Sequence, residues 1–293
     1  MVFNVGAGRN DIWRLVCLLL LAGLLLPGCT TYQAPQECSV GQEDAIPSCG
    51  KTPVKAEPGL VAHWGFDENG GNTVRDSVGG LEGTVYGAVP AQGRKGGALY
   101  FDGVDDYVRL SDEAHDRLSR LGQGTIAFWF KFESVLDKQS IMPMFYIGGA
   151  DDGQEDNILI IEVGHFKQGN LRAQDPDNKR LYSTFIKDGG HPFMCLDYGR
   201  SMEEGAWTHY ALVSGQNGTN VYINGQGIPA NYNFGALGDA YFMDDVPDTE
   251  TIMIGRGKTS SMATPDFVYF KGYIDDLRAY ERPLSPEEIM GLQ

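Results

Sequence analysis

Apolar and polar residues alternate along most of this chain with a period of two, in short runs broken by Gly, Asn, Asp and Pro. The clearest run is Thr125-Ile-Ala-Phe-Trp-Phe-Lys-Phe132. Ile126, Phe128, Phe130 and Phe132 fall on one face of a strand there, and Thr125, Ala127, Trp129 and Lys131 on the other. The first set is core. The same reading predicts strands over 60–66, 83–87, 97–102, 106–110, 124–133, 142–148, 157–163, 180–187, 192–198, 206–214, 219–224, 250–255 and 266–281. Trp207-Thr-His-Tyr-Ala-Leu-Val213 and Thr219-Asn-Val-Tyr-Ile-Asn-Gly225 form a hairpin closed through 214–218, and Asn224-Gly225 begins the next tight turn, where positive φ is cheap for both residues. Helical periodicity is nearly absent. One short helix is predicted near the end of the chain, where Ser285 can cap, Pro286 suits the first turn and Glu288 completes a capping box. The fold class is all-β, an antiparallel two-sheet sandwich with a short C-terminal helix.

Three separated segments make this more specific. They are Gly59-Leu-Val-Ala-His-Trp-Gly-Phe-Asp67-Glu-Asn-Gly-Gly71, Ala98-Leu-Tyr-Phe-Asp-Gly-Val-Asp-Asp-Tyr-Val-Arg-Leu110 with its Gly103 turn, and Gly272-Tyr-Ile-Asp-Asp-Leu-Arg-Ala-Tyr280 running on to Ile289. Together they resemble the laminin-G-like branch of the concanavalin A-like lectin/glucanase superfamily, over residues 59–293. The Trp207 to Gly225 hairpin resembles a unit of the same family. The resemblance implies a jelly-roll sandwich (concanavalin A-like) in which the first and last strands are neighbours and the closing helix seals one edge. It leaves the ligand open, because this fold hosts lectins, glycanases, adhesion modules and structural domains.

Residues 15–26 are an apolar run behind Arg9 and Arg14, too short for a comfortable bilayer span and suited to a signal-peptide core. The run ends in Leu26-Pro27-Gly28-Cys29, which resembles a bacterial lipobox, although Pro27 stands where a small residue is usual. The resemblance implies a lipoprotein signal peptide over 1–28 and lipidation of Cys29, whose several acyl chains would anchor the protein to the membrane. The alternatives are an ordinary secretory leader or an uncleaved anchor. Thr30 takes the place of the Asp that retains such proteins at the inner membrane, so in a Gram-negative host the resemblance implies an outer-membrane location in the cell envelope. Residues 29–58, rich in Pro, Gly, Gln, Glu and Thr, read as a flexible tether.

The formal charge of −16 becomes −17 when the leader removes two arginines and one aspartate. So acidic a surface argues against nucleic acid and favours cations or neutral ligands. Cys38 and Cys49 close a short loop in the tether and are candidates for a disulfide, since as metal ligands they lack a nearby histidine; Cys195 reads as a buried inert thiol.

Asp67, Asp76 and Asp275 are candidate calcium ligands: Asp67 ends the first strand, Asp76 lies in the following Gly-rich loop, and Asp275 sits in the last strand. The resemblance places a calcium near that last-strand position, and carboxylates mixed with loop carbonyls supply the hard oxygens the ion takes. The alternative reading is turn formers at Asp67 and Asp76 and a solvated residue at Asp275. Catalysis finds little support. Glu155 and Glu162 are seven apart, an odd spacing that puts them on opposite strand faces, so they cannot flank one glycosidic bond. The five histidines show no short metal spacing and no Gly-x-Ser-x-Gly sequence exists, while His63 and His209 alternate with core residues. Sugar rings stack on aromatics while their hydroxyls bond to Asp and Asn, which makes Tyr232, Phe234, Tyr241 and Asp244 in the long 229–250 segment, with Trp129 on the non-core face of its strand, candidate ligand contacts. Each has an alternative as packing. The expectation is a non-catalytic, lectin-like module whose partner is a polysaccharide or glycoconjugate, or in the alternative an envelope protein.

Overall fold

The alternation resolves into two antiparallel sheets whose inward faces share one core. The computed structural model describes residues 57–134, 141–149, 157–164, 179–187, 191–258 and 267–293, and Val54–Gln293 form one unit. The expectations for the leader, Cys29, and the pair Cys38 and Cys49 lie outside the described residues.

The eight-stranded sheet runs β14 (Gln226–Ile228), β13 (Gly218–Ile223), β12 (Thr208–Gly215), β7 (Gly124–Phe132), β19 (Lys271–Tyr280), β5 (Gly97–Asp102), β4 (Val89–Gln92). The far edge of β19 is shared: β5 pairs with Lys271–Ile274, and β1 (Leu60–Trp64) pairs with Leu277–Tyr280. The first and last strands are therefore neighbours. The nine-stranded sheet runs β15 (Asn231–Phe234), β11 (His191–Ser201), β10 (Arg180–Lys187), β9 (Ile158–Gly164), β8 (Ile141–Gly148), β16 (Thr251–Ile254), β6 (Tyr107–Leu110), β3 (Glu82–Tyr86), β2 (Thr73–Arg75). A separate small pair joins β17 (Arg256–Gly257) to β18 (Val268–Tyr269).

Ile126, Phe128, Phe130 and Phe132 are buried in the shared core as their spacing requires, beside Trp64, Phe101, Ile274 and Leu277 from one sheet and Leu159, Ile161 and Phe185 from the other. One polar tie crosses it. Ser183 Oγ of β10 lies 2.6 Å from the Tyr210 hydroxyl of β12 and accepts from Tyr198 of β11 at 3.0 Å, so three buried hydroxyls satisfy one another between the sheets.

The outward faces carry smaller clusters. Helix α2 (Pro286–Gly291) begins with the anticipated capping box at Ser285 and Glu288. It covers a face rather than sealing an edge: Leu284, Ile289 and Leu292 pack on Ala127, Ala211 and Val213 of the eight-stranded sheet, because those small side chains leave room for a helix. A second helix, α1 (Asp112–Leu118), is capped by Ser111, which accepts the Ala114 N–H at 3.2 Å. Its seven residues bury only Ala114 and Leu118, too few to create a visible helical period. On the nine-stranded sheet, Phe267 joins Ile141, Tyr146, Ile158, Ile160 and Met253.

Glu162 shares that outward face with Ile158 and Ile160. It is 1% exposed, its Oε2 has no hydrogen-bond partner among the described residues, and burial pushes its carboxyl up to about 8. The fold accommodates the neutral acid. Its contribution is therefore full below the ordinary value of 4.5 and is lost as pH rises through about 8. Glu162→Gln is expected to remove this loss: urea midpoints compared at about pH 5 and about pH 9 should show the variant gaining on the wild type at the higher pH. Parallel pH profiles would mean that the group is solvated.

Candidate functional site

Between the pairs Asp275 with Trp129 and Arg278 with Ala127, β19 carries one residue more than β7. Asp276 absorbs it with φ 53°, a left-handed conformation that aspartate tolerates better than most side chains. The bulge turns two successive carboxylates away from the core. Asp275 is fully buried; its Oδ2 accepts the Lys95 N–H at 2.8 Å and its Oδ1 has no hydrogen-bond partner among the described residues. Burial pushes its carboxyl up to about 6, and the charges of Asp276 and Asp67 add to the rise.

Asp67 comes to the same loop, accepting the Gly97 N–H at 2.6 Å. Glycines make this approach possible. A Cβ on Gly93 would stand 2.0 Å from Gly97 O and 2.6 Å from Asp275 Oδ2, and one on Gly96 would stand 2.3 Å from Asp67 Oδ1. Asp275, Asp67 and the Gly97 carbonyl thus converge on the 93–97 loop, and carboxylates with loop carbonyls are a donor set that fits a hard cation such as calcium. Asp76 does not belong to it. Its Oδ1 accepts the N–H groups of His63 and Val78, and its Oδ2 those of Gly79 and Leu81. Burial raises its pKa, but these four bonds outweigh that and hold it below the ordinary value; the carboxylate is the organiser of its own loop.

Asp276 faces a different set. His63 Nε2 lies 2.6 Å from its Oδ1, the Arg278 guanidinium donates at 3.0 and 3.1 Å, and Lys95 Nζ stands 3.4 Å from Oδ2. Burial acts against ionisation here, yet the bonds from His63 and Arg278 hold the group down at about 2. Arg278 and Tyr280 also bond to Glu57, so the network ties the entrance of the domain to its last strand.

The proposed ligand contacts are not brought together. Trp129 is 4% exposed on the outward face of the eight-stranded sheet, with Arg94 5.1 Å from its ring and His209 edge-on at 5.1 Å. That histidine is buried and accepts from Gln293 at 2.8 Å; burial, with Lys95 next, brings its pKa down to about 4. Tyr232 and Phe234 lie in β15 at the edge of the other sheet, Tyr232 packed on the core and Phe234 39% exposed. Tyr241 packs edge-on to Phe193 at 4.8 Å, which makes it a core flank. Asp244 is exposed beside Gly122. Trp129 is thus buried beneath its neighbours, and Tyr241 is engaged by the ring of Phe193.

An aromatic platform appears elsewhere. Tyr86 of β3 and Tyr107 of β6 pair across strands and stack with ring centres 4.5 Å apart and planes 8° apart. Both point outward because Val85 and Val108 beside them point into the core, and Tyr86 remains 43% exposed. The same alternation that buries Val85 and Val108 sets these rings on the open face. Nothing in the sequence showed that two tyrosines from separate strands would meet. The adjoining turn is built by its own acids: Asp106 accepts the Asp102 N–H and Asp102 the Val104 N–H.

Solved structures share this architecture. Domain 4 of AbnA, a GH43 extracellular arabinanase from Geobacillus stearothermophilus, determined in complex with arabinotriose, is 22% identical, with a TM-score of 0.52, over 81% of this chain and 99% of that one. Trypanosoma rangeli sialidase in complex with sialic acid is 17% identical, with a TM-score of 0.52, over 80% of this chain, which spans only 32% of the sialidase. No curated protein matches the chain. The family model Laminin_G_3, described as Concanavalin A-like lectin/glucanases superfamily, matches residues 102–290. That match takes in more than half of the sequence and agrees with the two-sheet architecture, and the chain accordingly belongs to the Laminin_G_3 family of the concanavalin A-like superfamily.

Proposed function

We propose that this protein is a lipid-anchored envelope protein whose sandwich binds an extracellular saccharide without cleaving it. The observation that carries the reading is the Tyr86 and Tyr107 stack: an exposed ring held flat by a second ring is what the apolar C–H face of a sugar requires. The arabinotriose-bound neighbour, matched over nearly its whole length, supports a saccharide as ligand. Glu162 is sealed from solvent, which supports a non-catalytic role, since an acid catalyst must reach the glycosidic oxygen.

Calcium is proposed as a structural ion held by Asp275, Asp67 and the carbonyls of the 93–97 loop. When bound, it neutralises the buried Asp275 carboxylate and fastens the first strand, this loop and the last strand together. Anchoring through Cys29, with export to the outer membrane, completes the proposal: the tether would present the domain away from the lipid surface.

Three outcomes are expected. Calcium should raise the melting temperature by on the order of 5 °C and chelator should reverse it, with Asp275→Asn abolishing the response; a melt indifferent to both would remove the ion. Tyr86→Ala should weaken saccharide binding by about 3- to 10-fold in titration calorimetry while leaving the melt unchanged; full affinity in the variant would place the site elsewhere. Cys29→Ser should move the protein from the membrane fraction to the soluble fraction, and continued sedimentation with membranes would exclude the lipid anchor.

A further inference from the structure

Arg256 opens β17 and pairs across to Tyr269 of β18. Its guanidinium carbon lies 3.8 Å from the ring centre of Phe267, 4.6 Å from that of Tyr107 and 5.7 Å from that of Tyr269. Tyr107 is the ring on which Tyr86 stacks, so the cation and the aromatic platform share a wall. Rings of this kind hold a guanidinium plane in one orientation while drawing water away from it.

The arginine has no acid of its own. Its Nε is buried without an acceptor, and no ion pair or hydrogen bond reaches the side chain among the described residues. This is unusual company for a chain of formal charge −16, in which Arg75, Arg180, Arg278 and Arg282 each lie within 3.0 Å of a carboxylate oxygen. Two further cations gather near it. Lys258 Nζ lies 4.7 Å from the Phe267 ring centre, and Arg109, two residues beyond Tyr107 on the same outward face, is partly exposed and only 3.6 Å from a solvated Asp112. A buried Nε–H without an acceptor is costly unless an oxyanion meets it, and the partly exposed planar fork that carries it matches a carboxylate better than any neutral group.

We propose that the outward face around Arg256 binds a carboxylate-bearing sugar residue of a polysaccharide, the carboxylate accepting from the Arg256 guanidinium and the ring lying on Tyr86. This rests on the saccharide-binding reading above and names its ligand class. Uronates and sialic acids both present such a carboxylate beside an apolar ring face. The acidic surface elsewhere repels polyanions, so binding of one must come from a local site and not from general charge.

The test is affinity electrophoresis of the full-length protein through gels containing polygalacturonate, its methyl ester, polysialic acid or neutral arabinan. Retention by polygalacturonate or polysialic acid is expected, and which of the two retains the protein identifies the acid. Esterification should abolish retention by polygalacturonate where that polymer binds, and Arg256→Ala should cut affinity for the retaining acid at least ~10-fold. Arg256→Lys, which keeps charge and contacts but loses the fork, should do the same and guards against misfolding of the alanine variant; near-ultraviolet circular dichroism checks both. Equal retention by acid and ester, or undiminished binding by folded Arg256→Ala, would overturn the site. Retention by arabinan alone, indifferent to Arg256, would overturn it while leaving the saccharide-binding reading standing, and passage through all four gels would overturn both.

Discussion

One extra residue in the last strand governs the arrangement of this domain. Without the bulge at Asp276, strict alternation would send Asp275 outward and Asp276 into a core of Trp64, Phe130 and Ile274, where an ionised carboxylate is untenable. With it, both acids face outward, Leu277 returns to the core opposite Trp64, and the register of β1 against β19 follows. The two acids then part company by environment alone. Asp276 is surrounded by charged donors and is held ionised, whereas Asp275 has only backbone N–H groups of the 93–97 loop to accept from, and its Oδ1 has no partner among the described residues. Adjacent residues of one type thereby acquire separate surroundings, the first a buried carboxyl pushed up by desolvation and the second an ionised group holding the domain entrance.

The two outward faces differ for related reasons. Small residues, Ala127 and Ala211, let α2 lie close on the eight-stranded sheet, and the bulge network occupies what the helix leaves. On the nine-stranded sheet, the small β17 and β18 pair packs directly on β8, where a Cβ on Gly257 would stand 3.0 Å from that of Pro143, and Arg256 lies at its margin among the rings of Phe267, Tyr107 and Tyr269. The exposed stack of Tyr86 on Tyr107 adjoins that margin.

How much of this was legible depended on the range of the interaction. The period-two pattern placed Ile126, Phe128, Phe130 and Phe132 in the core, and the resemblance to the concanavalin A-like superfamily implied that the first and last strands meet. Both depend on local alternation and family order. The carboxylate group was legible only in part, because Asp67 and Asp275 meet through the 93–97 loop, while Asp76 is claimed by backbone N–H groups that no residue pattern announces. Trp129 was correctly put on the non-core face, but non-core did not mean open: Arg94 and His209 cover it. The Tyr86 and Tyr107 stack and the isolation of Arg256 arise from strands and hairpins meeting across the fold, which composition and spacing do not encode.

Cys195 has a quieter consequence. It is 6% exposed in β11, receives weak bonds from Thr184 and Asn233, and burial pushes its thiol up to about 11. At neutral pH almost none of it is thiolate, the species that attacks a disulfide. Once the sandwich has closed, this sulfur is withdrawn from thiol–disulfide exchange and is inert toward any other thiol that the folded domain meets.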